Sequence, residues 1–211
     1  MTSAVLEVDR ADAKVTLLQV DQLKPHEKGS PLYFELLQRE ILKDGILKYP
    51  IIADERTHVI LDGMHRWLAL KSLGYELIPV ILIDAFRNKK IHVGKRRIQR
   101  YTNAVDKEIT IEQVISAGVN GHLMEPRSTR HFFPFSKFQE INFPLHSLRK
   151  NAAQDVSKYL AKMTARECSL AMEQWLGEIS EELEFLSKRT EEVEREKEEF
   201  LNRVKGLANK F

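Results

Sequence analysis

One cysteine, Cys168, stands in a chain of 211 residues, which excludes an intrachain disulfide and any multi-thiolate metal site within one copy. It lies in a stretch of helical apolar rhythm, where a thiol has an inert packing role. No apolar run approaches the length of a membrane span. The opening MTSAVLEVDRADAK lacks the basic-then-apolar layout of a secretory signal. A cytoplasmic location with no membrane partner is the expectation. An excess of one charge is also missing: 33 Lys and Arg against 31 Asp and Glu leave a net charge of +2, so bulk electrostatics select no partner. Trp is scarce, and Trp67 and Trp175 are both read as packing residues.

What is present is a 43% hydrophobic content, enough for a globular protein with a real core, in a length that suits one domain plus an appendage. Charge is segregated along the chain. RNKKIHVGKRRIQR, residues 87 to 100, carries Arg87, Lys89, Lys90, Lys95, Arg96, Arg97 and Arg100 without an acid. Such a run can follow nucleic-acid phosphates. Its alternation through Ile91, Val93 and Ile98 also describes a strand with one solvated basic face, and that reading is preferred.

Apolar patterning predicts strands over 15–20, 50–53, 58–61 and 77–83, with Pro79 placing the last at a sheet edge or strand start. The polar residues 54–57 join the middle pair as a hairpin. Helices are predicted over 32–43, closed by Gly45, from the turn at 62–63 to about Gly74, and over 110–117, capped by Thr110 and closed by Gly118. EPRSTRHFFPF, residues 125–135, reads as irregular. A further helix is expected around Val156, Leu160, Met163 and Leu170, with a break near Gly177. From there Leu176, Ile179, Leu183, Leu186, Thr190, Val193, Lys197, Phe200, Val204 and Leu207 mark a heptad seam, eight of the ten apolar. A stripe that narrow needs a second helix, most simply from another copy of the chain. The expected fold class is α+β: a small mixed-sheet domain over 1–148, then a helical coiled-coil dimerisation segment over 149–211.

The most informative stretch is VILDGMHRWLAL, residues 59–70. A β-branched strand stops at Asp62-Gly63, and a helical rhythm resumes with Trp67, Leu68 and Leu70. The polar cluster therefore falls at a helix N-terminus, where unpaired N–H groups and roughly half a positive charge receive an anion. Gly63 allows close approach of backbone, and Arg66 adds a forked cation. The guest these features fit is a phosphate; the alternative is that Asp62 caps the helix and Arg66 is solvated. Ser128, Thr129, Arg130 and His131 form a second concentration of anion-binding side chains, which could equally satisfy loop backbone. No metal-ligand spacing is present.

The ordered set LKPHE at 23–27, YPIIADERTHVILDGMHRWLALKSLGYELIPVILID at 49–84 and EPRSTRHFFPF at 125–135 resembles the ParB/sulfiredoxin superfamily, and within it the free L-serine kinases. Met64 stands where sulfiredoxins carry their reactive cysteine, and no helix-turn-helix of the ParB kind follows residue 135. The resemblance implies phosphoryl transfer from ATP or ADP, with Mg²⁺ held largely through the nucleotide, to the hydroxyl of free L-serine or a similar small acceptor. It implies Glu27 as the base, with Asp62 and His65 as further catalytic groups. Asp62, Gly63, Met64, His65 and Arg66 correspond to the nucleotide-phosphate turn, and Thr129, Arg130 and His131 to the substrate element. The competing expectation is a ParB-like, nucleotide-binding, DNA-associated dimer without kinase activity; an interaction scaffold with a vestigial turn is a third.

Overall fold

The computed structural model describes residues 14–95, 109–138 and 140–208, with side chains up to 202. Strands are β1 Val15–Gln19, β2 Ile46–Leu47, β3 Ile51–Asp54, β4 Ile60–Asp62, β5 Leu77–Ile83, β6 His92–Gly94, β7 Arg130–Phe132 and β8 Phe143–Pro144. Helices are α1 Pro31–Asp44, α2 Met64–Ser72, α3 Ile111–Asn120 and α4 Ala165–Ala208. The described residues up to Cys168 form one compact unit, and those from Ser169 belong to a second.

A four-stranded mixed sheet, in the order β1-β5-β3-β4, organises the first unit. β5 runs antiparallel to β1 and parallel to β3, and β3 and β4 form the antiparallel hairpin that the sequence predicts. Side chains alternate between two apolar layers, as a period of two requires. Ile51, Ile60, Ile78 and Val80 face the core built with Trp67, Leu68 and Leu70 of α2. Ile52, Val59, Leu61 and Ile81 face the opposite core with Val114 and Ile115 of α3 and Phe133. The hairpin turn is held by Asp54, fully buried, whose side-chain oxygens accept from the Thr57 N–H and hydroxyl and from the Ala85 N–H.

Several sequence expectations are corrected. β5 is central, not an edge; its parallel ladder with β3 begins only at Val80, so Pro79 stands at the ladder's end, where its missing N–H is tolerated. α3 runs through Gly118 to Asn120 and is closed by Gly121 at φ 71°. Gly118 serves close packing instead, since a Cβ there would lie 2.7 Å from the Val59 methyls. The segment after Glu125 is not wholly irregular: Arg130–Phe132 pairs with β6. Within the basic run, Arg87, Lys89 and Lys90 lie in turns before β6, whereas 96–100 lie outside the described residues.

The helix expected from Val156 is not formed. A single 3₁₀ turn at Ser157–Tyr159 lies there, because the backbone is used elsewhere: Asn151 N–H donates to Gly74 O, Gly29 N–H to Tyr159 O, and Ala161 N–H to Gly29 O. These bonds tie residues from 149 onward, just past the expected domain end at 148, to the sheet unit. α4 begins only after Thr164, whose hydroxyl accepts from the Glu167 N–H while the Glu167 carboxylate accepts from Thr164, a reciprocal cap. It then runs unbroken past Gly177. Among the described residues, no helix is long and apolar enough to cross a membrane.

Trp67 joins the sheet unit by more than area, for its indole N–H donates to the Val20 carbonyl over 2.9 Å. Trp67→Phe should lower the free energy of urea unfolding by about 0.5–1.5 kcal/mol, because it removes the indole donor and leaves that carbonyl only the Leu23 N–H at 3.3 Å.

Candidate functional site

Main-chain pairing delivers Glu27 to the interior. Lys24 N–H donates to His58 O and Ile60 N–H to Lys24 O, so residues 24–27 extend beside β4. On their other side Met124 N–H donates to His26 O and Lys28 N–H to Met124 O. Clamped in this way, Glu27 is only 8% exposed. Burial pushes its carboxyl up to about 7, against the opposing pull of Arg130, Thr129 and Arg127. The Thr129 hydroxyl lies 3.4 Å from Glu27 Oε2 and 2.8 Å from His26 Nε2.

The strand-to-helix junction forms where the sequence places it. Gly63 adopts φ 96°, a left-handed conformation that costs a glycine little, and offers no side chain to cap α2. Asp62 points back across the turn: Oδ2 accepts from Arg66 at 2.6 Å and Oδ1 from Lys137 at 2.8 Å. Burial works against the charged form of Asp62, yet Arg66 and Lys137 outweigh it and hold the carboxyl below its ordinary range. Met64 is buried under the turn. His65 Nε2 accepts the Ser30 N–H at 2.9 Å, and the Tyr33 ring stands edge-on to it at 4.7 Å. With Nε2 so used, the proton of neutral His65 resides on Nδ1.

The two segments share one electrostatic site. Arg127 and Arg130 act on both Glu27 and His65, and Asp62 acts on His131. The His131 ring meets His26 edge-on at 5.4 Å and bonds to the Leu61 main chain. Its Nε2 is buried with no hydrogen-bond partner among the described residues, as is Ser128 Oγ. Arg130 Nη1 donates to the Thr129 carbonyl. Thus Glu27, Asp62, His65, Thr129, Arg130 and His131 converge from separate stretches of sequence. Lys137, Tyr33 and Ser30 are members that the sequence reading misses. His26, beside Glu27, is buried and donates through Nδ1 to Ile60 O at 2.6 Å.

Comparison with known proteins follows from this arrangement. No family model matches the chain. Over 103 residues, 46% of this chain, it is 35% identical to an ATP-dependent L-serine kinase of Staphylothermus marinus. It is 39% identical over 74 residues to a ParB-like protein of Sulfolobus acidocaldarius, 34% of this chain. With an ADP-dependent L-serine kinase, SerK, of Thermococcus kodakarensis it shares 30% identity over 73 residues, 33% of this chain. The chain spans less than half the length of these relatives, 41%, 35% and 30% respectively. Among solved structures, free serine kinase in complex with AMP superposes with a TM-score of 0.55 at 16% identity, covering 68% of this chain and 97% of that one. A mutant of that kinase in complex with ADP gives 0.56, covering 68% and 98%.

The α+β mixed-sheet unit therefore has the fold of the solved serine kinases, followed here by a long C-terminal helix. Over the matched stretches the chain is similar in sequence to free L-serine kinases and to a ParB-like protein.

Burial of the site makes fold stability depend on pH. Desolvation pulls His26 and His65 down to about 4 and His131 to about 3, from 6.5. Between about pH 4 and 6.5 the unfolded chain therefore binds more protons than the folded one at these three rings. Glu27, raised from 4.5 to about 7, acts oppositely, and its contribution is lost as pH rises through 7. The balance is roughly two protons taken up on unfolding near pH 5. Urea midpoints should climb steeply from pH 4.5 to 6.5 and level off near 7; a flat profile contradicts the burial of these groups.

Proposed function

We propose that the chain is a small-molecule phosphotransferase, moving the terminal phosphoryl group of ATP or ADP to the hydroxyl of free L-serine or a similar small acceptor. The observation that carries this reading is Glu27: a buried carboxyl held near 7, beside Thr129 and Arg130 and in the field of the α2 junction. A base with that affinity for protons is matched to work at neutral pH. The kinase relatives of Staphylothermus and Thermococcus support it.

In this reading the nucleotide phosphates rest on the uncapped N-terminus of α2, where Gly63, Met64, His65 and Arg66 present main-chain amides, the His65 Nδ1–H and a guanidinium. Asp62 stays ionised and orients Arg66 and Lys137, so the cations face the phosphates in fixed positions. Thr129, Arg130 and His131 hold the acceptor, with Arg130 taking its carboxylate or the transferred group. The acceptor hydroxyl gives its proton to a Glu27 oxygen, and its own oxygen bonds to the terminal phosphorus. The bond from that phosphorus to the bridging oxygen breaks, and ADP leaves from ATP, or AMP from ADP. Among the described residues, no cluster of three His, Cys, Asp or Glu offers a metal cage, and both Asp62 oxygens are engaged. Mg²⁺ fits only as an ion carried by the nucleotide; no step is assigned to it.

The full chain with Mg²⁺ and ATP or ADP should convert L-serine to O-phospho-L-serine, read by ³¹P NMR and mass spectrometry. Glu27→Gln should lower the rate by about 10²–10⁴ and leave nucleotide affinity within about threefold. No phosphorylated amino acid with either nucleotide rejects the proposal.

The assembly we infer is a homodimer through the 176–207 heptads. Leu176, Leu183, Val193 and Phe200 stand exposed along one 44-residue helix, with Ile179 and Leu186 half-buried between them. Apolar side chains in a seam that narrow are covered by a second helix. Leu183→Glu combined with Phe200→Glu should convert the species seen in sedimentation velocity from dimer to monomer. A monomeric unsubstituted chain overturns the assignment.

A further inference from the structure

Two hydrogen bonds outside the expected catalytic set bear on how Glu27 works. His26 is 3% exposed, and its Nδ1 lies 2.6 Å from the Ile60 carbonyl. A carbonyl only accepts, so Nδ1 carries a proton. Burial keeps the ring neutral, hence Nε2 carries a lone pair. That lone pair faces the Thr129 hydroxyl at 2.8 Å, the shorter of the two contacts this hydroxyl makes; the other, to Glu27 Oε2, is 3.4 Å. Thr129 has one proton to give, and both distance and the His26 tautomer direct it to the ring.

We propose that His26 is a positioning residue for Glu27: it captures the Thr129 hydroxyl proton, so that Thr129 turns lone pairs, not a proton, toward the carboxyl that must accept the acceptor's proton. The proposal rests on Glu27 being the base. Ionised Glu27 then receives a hydrogen bond from the Thr129 main chain but none from its hydroxyl, which favours protonation relative to a hydroxyl that donates. Once it holds the acceptor's proton, its O–H donates to Thr129 Oγ1, whose O–H donates to His26 Nε2, whose Nδ1–H donates to Ile60 O. One proton moves, from the acceptor hydroxyl to Glu27; Thr129 and His26 keep theirs.

Arg130 and Arg127 act on Glu27 and favour its ionised form. His131 faces His26 at 5.4 Å between ring centres and is itself neutral. Glu27 Oε2 is 4.0 Å from His26 Nε2, beyond hydrogen-bond reach, so the ring acts on the carboxyl through Thr129.

The test is titration of the Glu27 carboxyl by ¹³C NMR in the full chain labelled at glutamate Cδ, the signal assigned by its loss in Glu27→Gln. The unsubstituted protein should titrate well above the ordinary carboxylate range, as burial requires. His26→Asn keeps an N–H for Ile60 O but has no acceptor at the position of Nε2, so Thr129 is released to donate to Glu27. The midpoint should fall by about one pH unit, and the acid limb of the phosphoryl-transfer profile should move down with it. His26→Gln, whose amide oxygen replaces Nε2 as acceptor, should restore most of the shift. An unmoved midpoint in His26→Asn overturns the proposal. Should that variant not fold, ¹⁵N spectra of the unsubstituted chain decide: neutral His26 protonated on Nδ1 between pH 6 and 8 supports it, and protonation on Nε2 overturns it. A midpoint shift in a protein that phosphorylates no amino acid supports the positioning and defeats the kinase reading.

Discussion

The site depends on a piece of main-chain pairing, the insertion of residues 24–28 between β4 and Met124. A glutamate following a proline and a histidine in a turn is ordinarily a solvated side chain. Here the backbone on both sides is committed to hydrogen bonds, so Glu27 cannot swing out without breaking them. Its burial is thus enforced by the fold, and the perturbed carboxyl is the result. Gly29 sustains the arrangement two residues later: a Cβ there would meet the Leu68 methyl, and its own N–H and carbonyl are taken by Tyr159 and Ala161. The same clamp that closes the sheet edge therefore sets the chemistry of the carboxyl.

Two carboxylates in one site are driven in opposite directions, and this separates their roles. Asp62 is ion-paired through both oxygens and stays charged. Glu27 has burial as its largest influence, opposed by Arg130 and Arg127, which places it near the pH at which a proton can be both taken up and released. The surplus of cations around Asp62, Arg66 and Lys137 against one carboxylate, lies beside an uncapped helix start. In the proposed reaction that positive potential faces the polyphosphate, while Arg130 and Arg127 act on both Glu27 and His65.

Much of this was legible from local signals. The β3–β4 hairpin, β5, α1 and the Gly63 junction follow from alternation, helical spacing and glycine, all properties of a few neighbouring residues. Pro79 misled because strand order, which puts it at the end of a ladder within a central strand, is not a local property. The stretch around Val156 and Leu160 has helical spacing, but its main chain is recruited by Gly29 and Gly74, a contact more than seventy residues away in sequence. Thr164 and Glu167 carried a capping signal that marks the true helix start. Lys137 was invisible because a lysine after an aromatic loop gains meaning only once the fold brings it to Asp62. His26 was visible as a residue and obscure as a function: its tautomer is dictated by Ile60, its effect is delivered by Thr129, and neither is near it in sequence.

The histidines complete the electrostatic argument. His26, His65 and His131 are all kept neutral by burial, so the site holds three rings that add hydrogen-bonding capacity without adding charge. His26 spends both ring nitrogens, on Thr129 and Ile60, and His65 spends Nε2 on Ser30. His131 spends only one side, on Leu61, and leaves Nε2 buried without a partner among the described residues, as Ser128 leaves its hydroxyl. Both atoms flank Thr129 and Arg130, the pair proposed to hold the acceptor, so burial that keeps the rings neutral also supplies uncharged hydrogen-bonding groups there.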